Sequence, residues 1–278
     1  MDGLGELIGQ APVMDALREQ IRQIIERTSV SRRLPPILLQ GETGTGKNLV
    51  ARVIHRAGPR GGGPFVDVNC AAIPADLLEA ELFGFERGAF TDARQPKAGL
   101  FQSAHGGTIL LDEVALLADA LQAKLLNVIE ERRVRRLGST RSEPVDLSII
   151  AATNENLVAS VHARRFREDL YHRLAVVTLR LPSLRERRED IPILAEHFLA
   201  RACQDYGLPS KRLTSGARAA LCAHGWPGNV RELANVMERV ALLAETSHID
   251  SDTLDLFTEP ARSQRRCGPT FRGARSPW

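Results

Sequence analysis

Cysteine is scarce and scattered in this sequence. The 278 residues include four, Cys70, Cys203, Cys222 and Cys267, with no C-x-x-C pair and no histidines at zinc-ligand spacing near them. That usage excludes a minimal disulfide scaffold, offers no zinc-ligand spacing, and best fits idle or buried thiols in a reducing compartment. Long apolar runs are missing too: the opening MDGLGELIGQ carries acids where a signal peptide has its apolar core, and every longer hydrophobic stretch downstream is broken by charge. The expectation is a cytoplasmic protein with no membrane span. No internal repeat is visible, which removes solenoids and propellers. A dominant charge sign is also lacking. The formal net charge is +3, but Arg262, Arg265, Arg266, Arg272 and Arg275 all follow Glu259 with no acid among them, so the chain before them is slightly acidic. Charge alone therefore names no nucleic-acid or membrane partner.

The remaining composition is that of a globular protein, with 43% hydrophobic and 26% charged side chains, enough for a sizeable core. One large unit, or a large unit with a smaller partner, is expected at this length. Residues 13–27 place Met14, Leu17, Ile21, Ile24 and Ile25 on one stripe, which predicts an amphipathic helix. ILLQ at 37–40 reads as a strand running into a glycine loop and then the helical KNLVARVIHRA. Apolar runs recur at 65–70, 108–114, 147–154 and 175–181, separated by helix-length segments, the alternation of a parallel sheet covered on both faces. After Pro182 the strand signals stop, and ILAEHFLARACQDYG, SGARAALCAHG and VRELANVMERVALLAE read as helices. The expected organisation is an α/β unit over 1–182, a helical unit over 183–259 and a basic tail over 260–278. That tail is rich in Arg, Pro and Gly and is assigned no structure.

Chemistry concentrates in a few places. GETGTGK at 41–47 satisfies G-x-x-x-x-G-K between a strand and a helix. Gly41, Glu42, Thr43, Gly44, Thr45, Gly46 and Lys47 then form a phosphate loop: backbone N–H groups turn in around phosphate oxygens, the helix N-terminus adds its positive end, and Lys47 neutralises the β and γ phosphates. The alternative is a glycine turn that binds nothing. Asn48 stands where the pattern wants a hydroxyl on Mg²⁺, so metal binding leans on other groups. TILLDEV brings Asp112 and Glu113 to a strand's C-terminal end, Asp112 for the Mg²⁺ shell and Glu113 to orient the attacking water. The pair could instead cap the next helix. Asn69 closes FVDVN, and Thr153-Asn154 closes another strand; such residues often serve only as turns, but beside a phosphate loop they are candidates for sensing the γ-phosphate. Three segments stay open. ARRFREDLYHRL suits surface i,i+4 pairing, residues 215–240 could pass for a DNA-reading helix-turn-helix, and Phe90 is either core or an exposed loop residue.

With these motifs in place, the chain resembles the AAA+ ATPase domain of sigma-54-dependent transcription activators, the bacterial enhancer-binding proteins, over about residues 7–256. GAFTDA at 88–93 looks like the family's GAFTGA loop, and IGQ, GETGTGK, NCAAI, GGTILLDEV, AATN, FREDLYHRL, LPSLRERREDI and WPGNVREL occur in family order. The resemblance implies an AAA+ P-loop fold with a C-terminal helical lid, Mg-ATP hydrolysis, and remodelling of sigma-54 RNA polymerase. It puts Ile8 and Gly9 beside the adenine, pairs Asn69 with Glu113 as a switch, and places Asn154 at the nucleotide. Arg167 and Arg173 become arginine fingers reaching into a neighbour's site, and Arg231 becomes a sensor in the lid. Gly88, Ala89, Phe90, Thr91, Asp92 and Ala93 become the loop that touches sigma-54, with Phe90 at its tip. A charge supplied across an interface makes activity depend on assembly, and the family works as a ring, usually a hexamer.

Two positions depart from the family. Asp92 replaces a glycine, adding charge and removing a permissive backbone position, and Asn48 stands where an acid is more frequent. They leave two alternatives: an AAA+ ATPase that remodels a different client, or a regulatory binder that uses ATP only to assemble. The sensory and DNA-binding domains that commonly flank this module have no counterpart here, so DNA binding is not expected from this chain, and the tail reads as a severed linker or out-of-frame sequence.

Overall fold

The fold was obtained as a computed structural model, which describes residues 2–28, 34–91 and 93–254. The expectations for Asp92 and for the tail over 260–278 lie outside the described residues.

Five strands form one parallel sheet: β1 (Ile37–Gln40), β2 (Phe65–Asn69), β3 (Thr108–Asp112), β4 (Ser148–Thr153) and β5 (Val177–Arg180), in the spatial order β2-β3-β4-β1-β5. The three central strands, β3, β4 and β1, are buried on both faces, which is why they read as continuous apolar runs, while the edge strands β2 and β5 leave Asp67, Thr178 and Arg180 exposed. Ile37, Leu39, Leu110, Ile150 and Ala152 pack on one side against α1 (Pro12–Thr28) and α2 (Lys47–Ala57). Leu38, Ile109, Leu111, Ile149 and Ala151 point the other way. They meet α3 (Ala75–Phe83), α4 (Leu100–Ser103), α5 (Asp119–Glu131), α6 (Leu157–His162) and α7 (Glu168–Leu174). Of the predicted α1 stripe, Met14, Leu17 and Ile21 are buried, while Ile24 and Ile25 are only half-buried at its edge.

The expected strand over 108–114 stops at Asp112. Glu113 adopts a left-handed φ of 56° and starts the turn Val114–Leu116, so backbone geometry ends the strand where apolar composition would have continued it. Two short antiparallel pairings had no signal in the sequence: Gly84–Phe85 with Lys97–Ala98, and Arg133–Arg135 with Ser142–Pro144. They lean on each other through Leu137 N–H to Gly84 O and Glu86 N–H to Leu137 O, both 2.9 Å.

Beyond residue 182 a third core forms from α8 (Ile191–Asp205), α9 (Ser215–Ala223) and α10 (Asn229–Leu243), closed by a two-residue pairing of Arg212–Leu213 with His248–Ile249. Trp226 is fully buried there, its indole N–H donating to Leu221 O at 2.8 Å, the partner a buried indole requires. Ile8 packs against this core from the start of the chain. Among the described residues no helix is long and apolar enough to cross a membrane.

Candidate functional site

In a parallel sheet all strands end at one edge, and ligands gather there. The glycine loop leaves β1 at that edge and enters α2. Gly44 has φ 80°, and a Cβ on it would run into the carbonyl oxygen of Gly228 from the lid, so both conformation and space demand glycine. Gly46, at φ 101°, precedes α2 without a side-chain cap, leaving first-turn N–H groups available to an anion. Lys47 is 6% exposed and curls back into the loop, its Nζ 3.0 Å from Gly41 O. Burial lowers its pKa, the carboxylates of Glu113 and Asp112 oppose that shift, and Arg231 adds to it. Lys47 therefore feels the charges of the other three.

A cleft of about 360 Å³ opens between loop and lid. Thr43, Gly44, Gly46, Lys47 and Asn48 form one wall, Asn69, Asp112 and Glu113 line it from the ends of β2 and β3, and Phe198, Val230, Arg231 and Ala234 face them from α8 and α10. Residues as far apart in the chain as Thr43 and Ala234 thus converge on one space. Asn154 reaches the loop from the end of β4, its Nδ2 donating to Thr43 Oγ1 at 3.0 Å. The Oδ1 of Asn69 accepts the Ala71 N–H at 2.9 Å, and that of Asp112 accepts the Glu113 N–H at 3.1 Å. Thr45 is buried and donates to Glu42 O. Arg231 is exposed, its backbone N–H meets Gly44 O at 3.3 Å, and α10 presents it to the cleft. That is the geometry of a lid helix, not of a helix set out to read DNA.

Glu42 does something the loop pattern does not announce. Its carboxylate turns to the lid, where Arg185 and Asn229 bond it and hold its pKa below the usual range. Asn229 is fully buried with φ 53°, donates also to Thr43 O at 3.0 Å and accepts the Leu184 N–H at 2.8 Å. The N-terminal segment is fixed comparably. Asp190 Oδ1 accepts from Gln10 N–H at 2.6 Å and Ala11 N–H at 2.9 Å, and Arg18 donates to Leu7 O and Gly9 O. Ile8 and Gly9 therefore sit pinned to the lid, outside the residues that line the cleft. The sequence assigned no role to these long-range partners; the hints were the runs LPSLRERREDI, which holds Arg185 and Asp190, and WPGNVREL, whose turn-forming start holds Asn229.

Arg167 and Arg173 do not line the cleft. Arg167 donates to Asp169 through Nε at 3.1 Å and Nη2 at 2.8 Å, and Arg173 Nε donates to Glu130 at 2.7 Å. The loop 88–93 stands on the paired hairpins: Gly88 N–H donates to Ala93 O at 2.8 Å and Ala93 N–H to Phe90 O at 3.0 Å. Phe90 is 43% exposed and rests edge-on against Phe85, ring centres 4.8 Å apart. It is neither core nor unsupported. Thr91 is exposed, whereas Ala93 is buried and closes the loop.

A family model described as the Sigma-54 interaction domain matches residues 7–180, and one described as the AAA+ ATPase lid domain matches 185–267. The response regulator protein PilR of Pseudomonas aeruginosa is 50% identical over 258 residues, 93% of this chain and 57% of PilR. The Nif-specific regulatory protein of Klebsiella pneumoniae is 44% identical over 274 residues, 98% of this chain and 51% of that protein. The solved structure of NtrX from Brucella abortus in complex with ATP superposes with a TM-score of 0.80 at 38% identity, covering 93% of this chain and 57% of NtrX. The chain spans about half the length of the curated relatives it matches.

Proposed function

The chain belongs to the sigma-54 interaction domain family and carries an AAA+ ATPase lid behind that domain; from this premise we propose that it hydrolyses ATP in the cleft and couples turnover to remodelling of sigma-54 RNA polymerase in the cytoplasm. The observation that carries the reading is the convergence of Lys47, Asp112, Glu113 and Arg231 on one cleft under the open N-terminus of α2. Loop N–H groups and Lys47 hold the phosphates. Glu113 is the general base that orients and deprotonates the attacking water, Asn69 lies beside it as a switch, and Asn154 and Arg231 report the γ-phosphate and the lid position. Ile8 and Gly9 border the base.

The cleft wall offers Mg²⁺ the hard carboxylate oxygens of Asp112, and Mg²⁺ ordinarily needs only one or two carboxylates besides phosphates and water. Bound there, Mg²⁺ neutralises phosphate charge.

Arg167 and Arg173, lying off their own subunit's cleft, are the fingers that complete a neighbour's site in a ring, six subunits being the expected number. Gly88, Ala89, Phe90 and Thr91 form the sigma-54 contact. The α/β unit ends near residue 182 and the lid follows; the lid match extends to 267, into the segment expected to be tail.

Two measurements test this. Glu113→Gln is expected to bind ATP with turnover reduced about 100-fold or more; brisk hydrolysis removes Glu113 from its role. With ADP, aluminium fluoride and Mg²⁺, the protein is expected to co-elute with sigma-54 as a large complex. A ring that leaves sigma-54 behind assigns the ATPase to another client, and an assembling protein that never hydrolyses ATP is a regulatory binder.

A further inference from the structure

Gln122 takes no part in the cleft, yet it is 1% exposed and its amide is fully engaged. Its Nε2 donates to Leu117 O at 2.8 Å and to Arg165 O at 3.1 Å, and its Oε1 accepts the Arg167 N–H at 2.8 Å. A buried primary amide has two donors and an acceptor to satisfy, and here every one of them is spent on main chain from two separate segments. The first segment is the turn that begins at Glu113: Leu116 N–H bonds Glu113 O at 3.0 Å and Leu117 N–H bonds Val114 O. The second leads into α7 and ends on Arg167, the cap residue of that helix. Arg165 and Phe166 are themselves tied by their N–H groups to Ser160 O, and Phe166 is buried. Arg167 therefore stands at the end of a fixed segment that Gln122 joins by hydrogen bonds to the turn after Glu113, beside the apolar packing of Val114, Leu117, Phe166 and Leu170 in one core.

We propose that Gln122 is a positioning residue for hydrolysis, coupling the turn behind a subunit's own Glu113 to the Arg167 that the same subunit offers its neighbour. The inference rests on the roles given above to Glu113 and Arg167. Its chemical logic is geometric. A finger stabilises charge that develops in the transition state only if it arrives within a fraction of an ångström of the right place, and a misplacement near 1 Å costs about 100-fold. A change at Glu113 moves Leu117 O, and Gln122 transmits that movement to Arg167 N–H without any contact to nucleotide. It also gives a turnover in one subunit a route to the next.

The test is Gln122→Met, which keeps the volume and removes all three bonds. Binding of a fluorescent ATP analogue is expected within about twofold of wild type, because the cleft is untouched, while kcat falls about 100-fold with KM changed no more than about twofold. Mixing separates positioning from damage. In rings formed from equal parts Gln122→Met and Glu113→Gln, the first subunit has an intact cleft and the second an intact finger, so turnover is expected well above the sum of the two variants alone. Arg167→Ala in the same mixture is expected to recover likewise. Unchanged kcat in Gln122→Met, or a loss that the mixture does not recover, overturns the proposal. Should Gln122→Met fail to bind nucleotide, Gln122→Glu, which keeps the acceptor facing Arg167 N–H, replaces it with the same criteria. Wild-type protein that leaves ATP intact would sink the reading of the site and this inference together. Full turnover in Arg167→Ala alone overturns the finger assignment and with it the role of Gln122.

Discussion

Arg185 of the lid grips Glu42 of the phosphate loop with both prongs of its guanidinium, Nη1 reaching Oε2 at 2.8 Å and Nη2 bonding Oε1. Asn229 holds the same carboxylate from beside it, at 3.1 Å. Lid and loop are thus joined by a charge pair and not by apolar packing alone. Both side chains are about half exposed, so the pair contributes little to overall stability and is screened by salt. Its consequence is a pH dependence.

The Arg185 hydrogen bonds, followed by that of Asn229, hold Glu42 below its ordinary pKa of 4.5. A carboxylate with a depressed folded-state pKa contributes its stabilisation fully above the ordinary value, and loses it as pH falls through the lower folded value. Glu42→Gln is therefore expected to melt slightly below wild type at neutral pH, with the gap closing in acid beneath pH 4.5. Nucleotide affinity should fall modestly and become less salt-sensitive. Paired melting curves across that range check it; a gap that persists at the acid end means the pair is not its source.

Gly44→Ala probes the same junction from the backbone. A Cβ in the left-handed region costs roughly 1–2 kcal/mol, and at Gly44 it also meets the Gly228 carbonyl, which cannot yield without shifting the start of α10. Nucleotide affinity is expected to drop about tenfold or more. Gly88→Ala, also at positive φ but with open space around the added carbon, is the control and should leave nucleotide affinity near wild type. Equal affinity for Gly44→Ala and wild type, measured by titration with a fluorescent analogue, contradicts the close loop–lid approach.

How much of this was legible beforehand follows from distance along the chain. Lys47, Asp112 and Glu113 were readable because each belongs to a contiguous motif whose strand and helix are also local. Arg231 and Phe90 became readable only through family resemblance. Asp190 and Asn229 lie within the family-like runs LPSLRERREDI and WPGNVREL but with no role attached, and Gln122 lies in no motif at all; the meaning of the first two lies in main-chain partners 179 residues away for Ala11 and Asp190, or 186 for Asn229 and Thr43. The end of β3 was misread by two residues for a related reason. Val114 is buried and apolar like a strand residue, and only the positive φ of Glu113 turns it aside.

Cys70, at the end of β2, offers a check on the surroundings of Asp112. Burial first, and then the nearby Asp112 carboxylate, push its thiol up to about 12 from the ordinary 9.0. That lowers the reactive thiolate population roughly a thousandfold in mildly alkaline buffer. Brief iodoacetamide treatment of the native protein is expected to label the half-buried Cys222 well before Cys70, with Cys70 reacting only after denaturation. Peptide mass spectrometry reads this directly. Early labelling of Cys70 would place solvent where the packing puts none.

Arg173 is engaged by Glu130 within its own subunit, and Arg167 by Asp169. On the proposed finger role, both carboxylates compete with the phosphate a neighbour presents, and assembly exchanges one partner for another. Arg173→Ala subunits doped into wild type are expected to depress turnover by more than their share, since each spoils an otherwise intact neighbouring cleft. Loss strictly proportional to the doped fraction would mean that the arginine acts only within its own subunit.

Phe90 presents an open aromatic face on a loop whose base is held by hydrogen bonds. Its edge-on contact with Phe85 orients the ring, the Gly88–Ala93 hydrogen bond closes the loop, and Arg136 fastens the two hairpins by bonding both Glu86 and Glu143. An aromatic held in that way is a preorganised anchor, losing little conformational entropy on binding. Phe90→Ala is expected to abolish the complex with sigma-54 formed in ADP and aluminium fluoride, while nucleotide still binds because Phe90 does not line the cleft. Arg136→Ala leaves the ring in place but loosens its base, so the complex should weaken and not vanish. Gel filtration of the three proteins with sigma-54 ranks them. If Arg136→Ala loses as much as Phe90→Ala, the contact belongs to the hairpin pair as a whole; if Phe90→Ala still elutes with sigma-54, the anchor lies elsewhere on the loop.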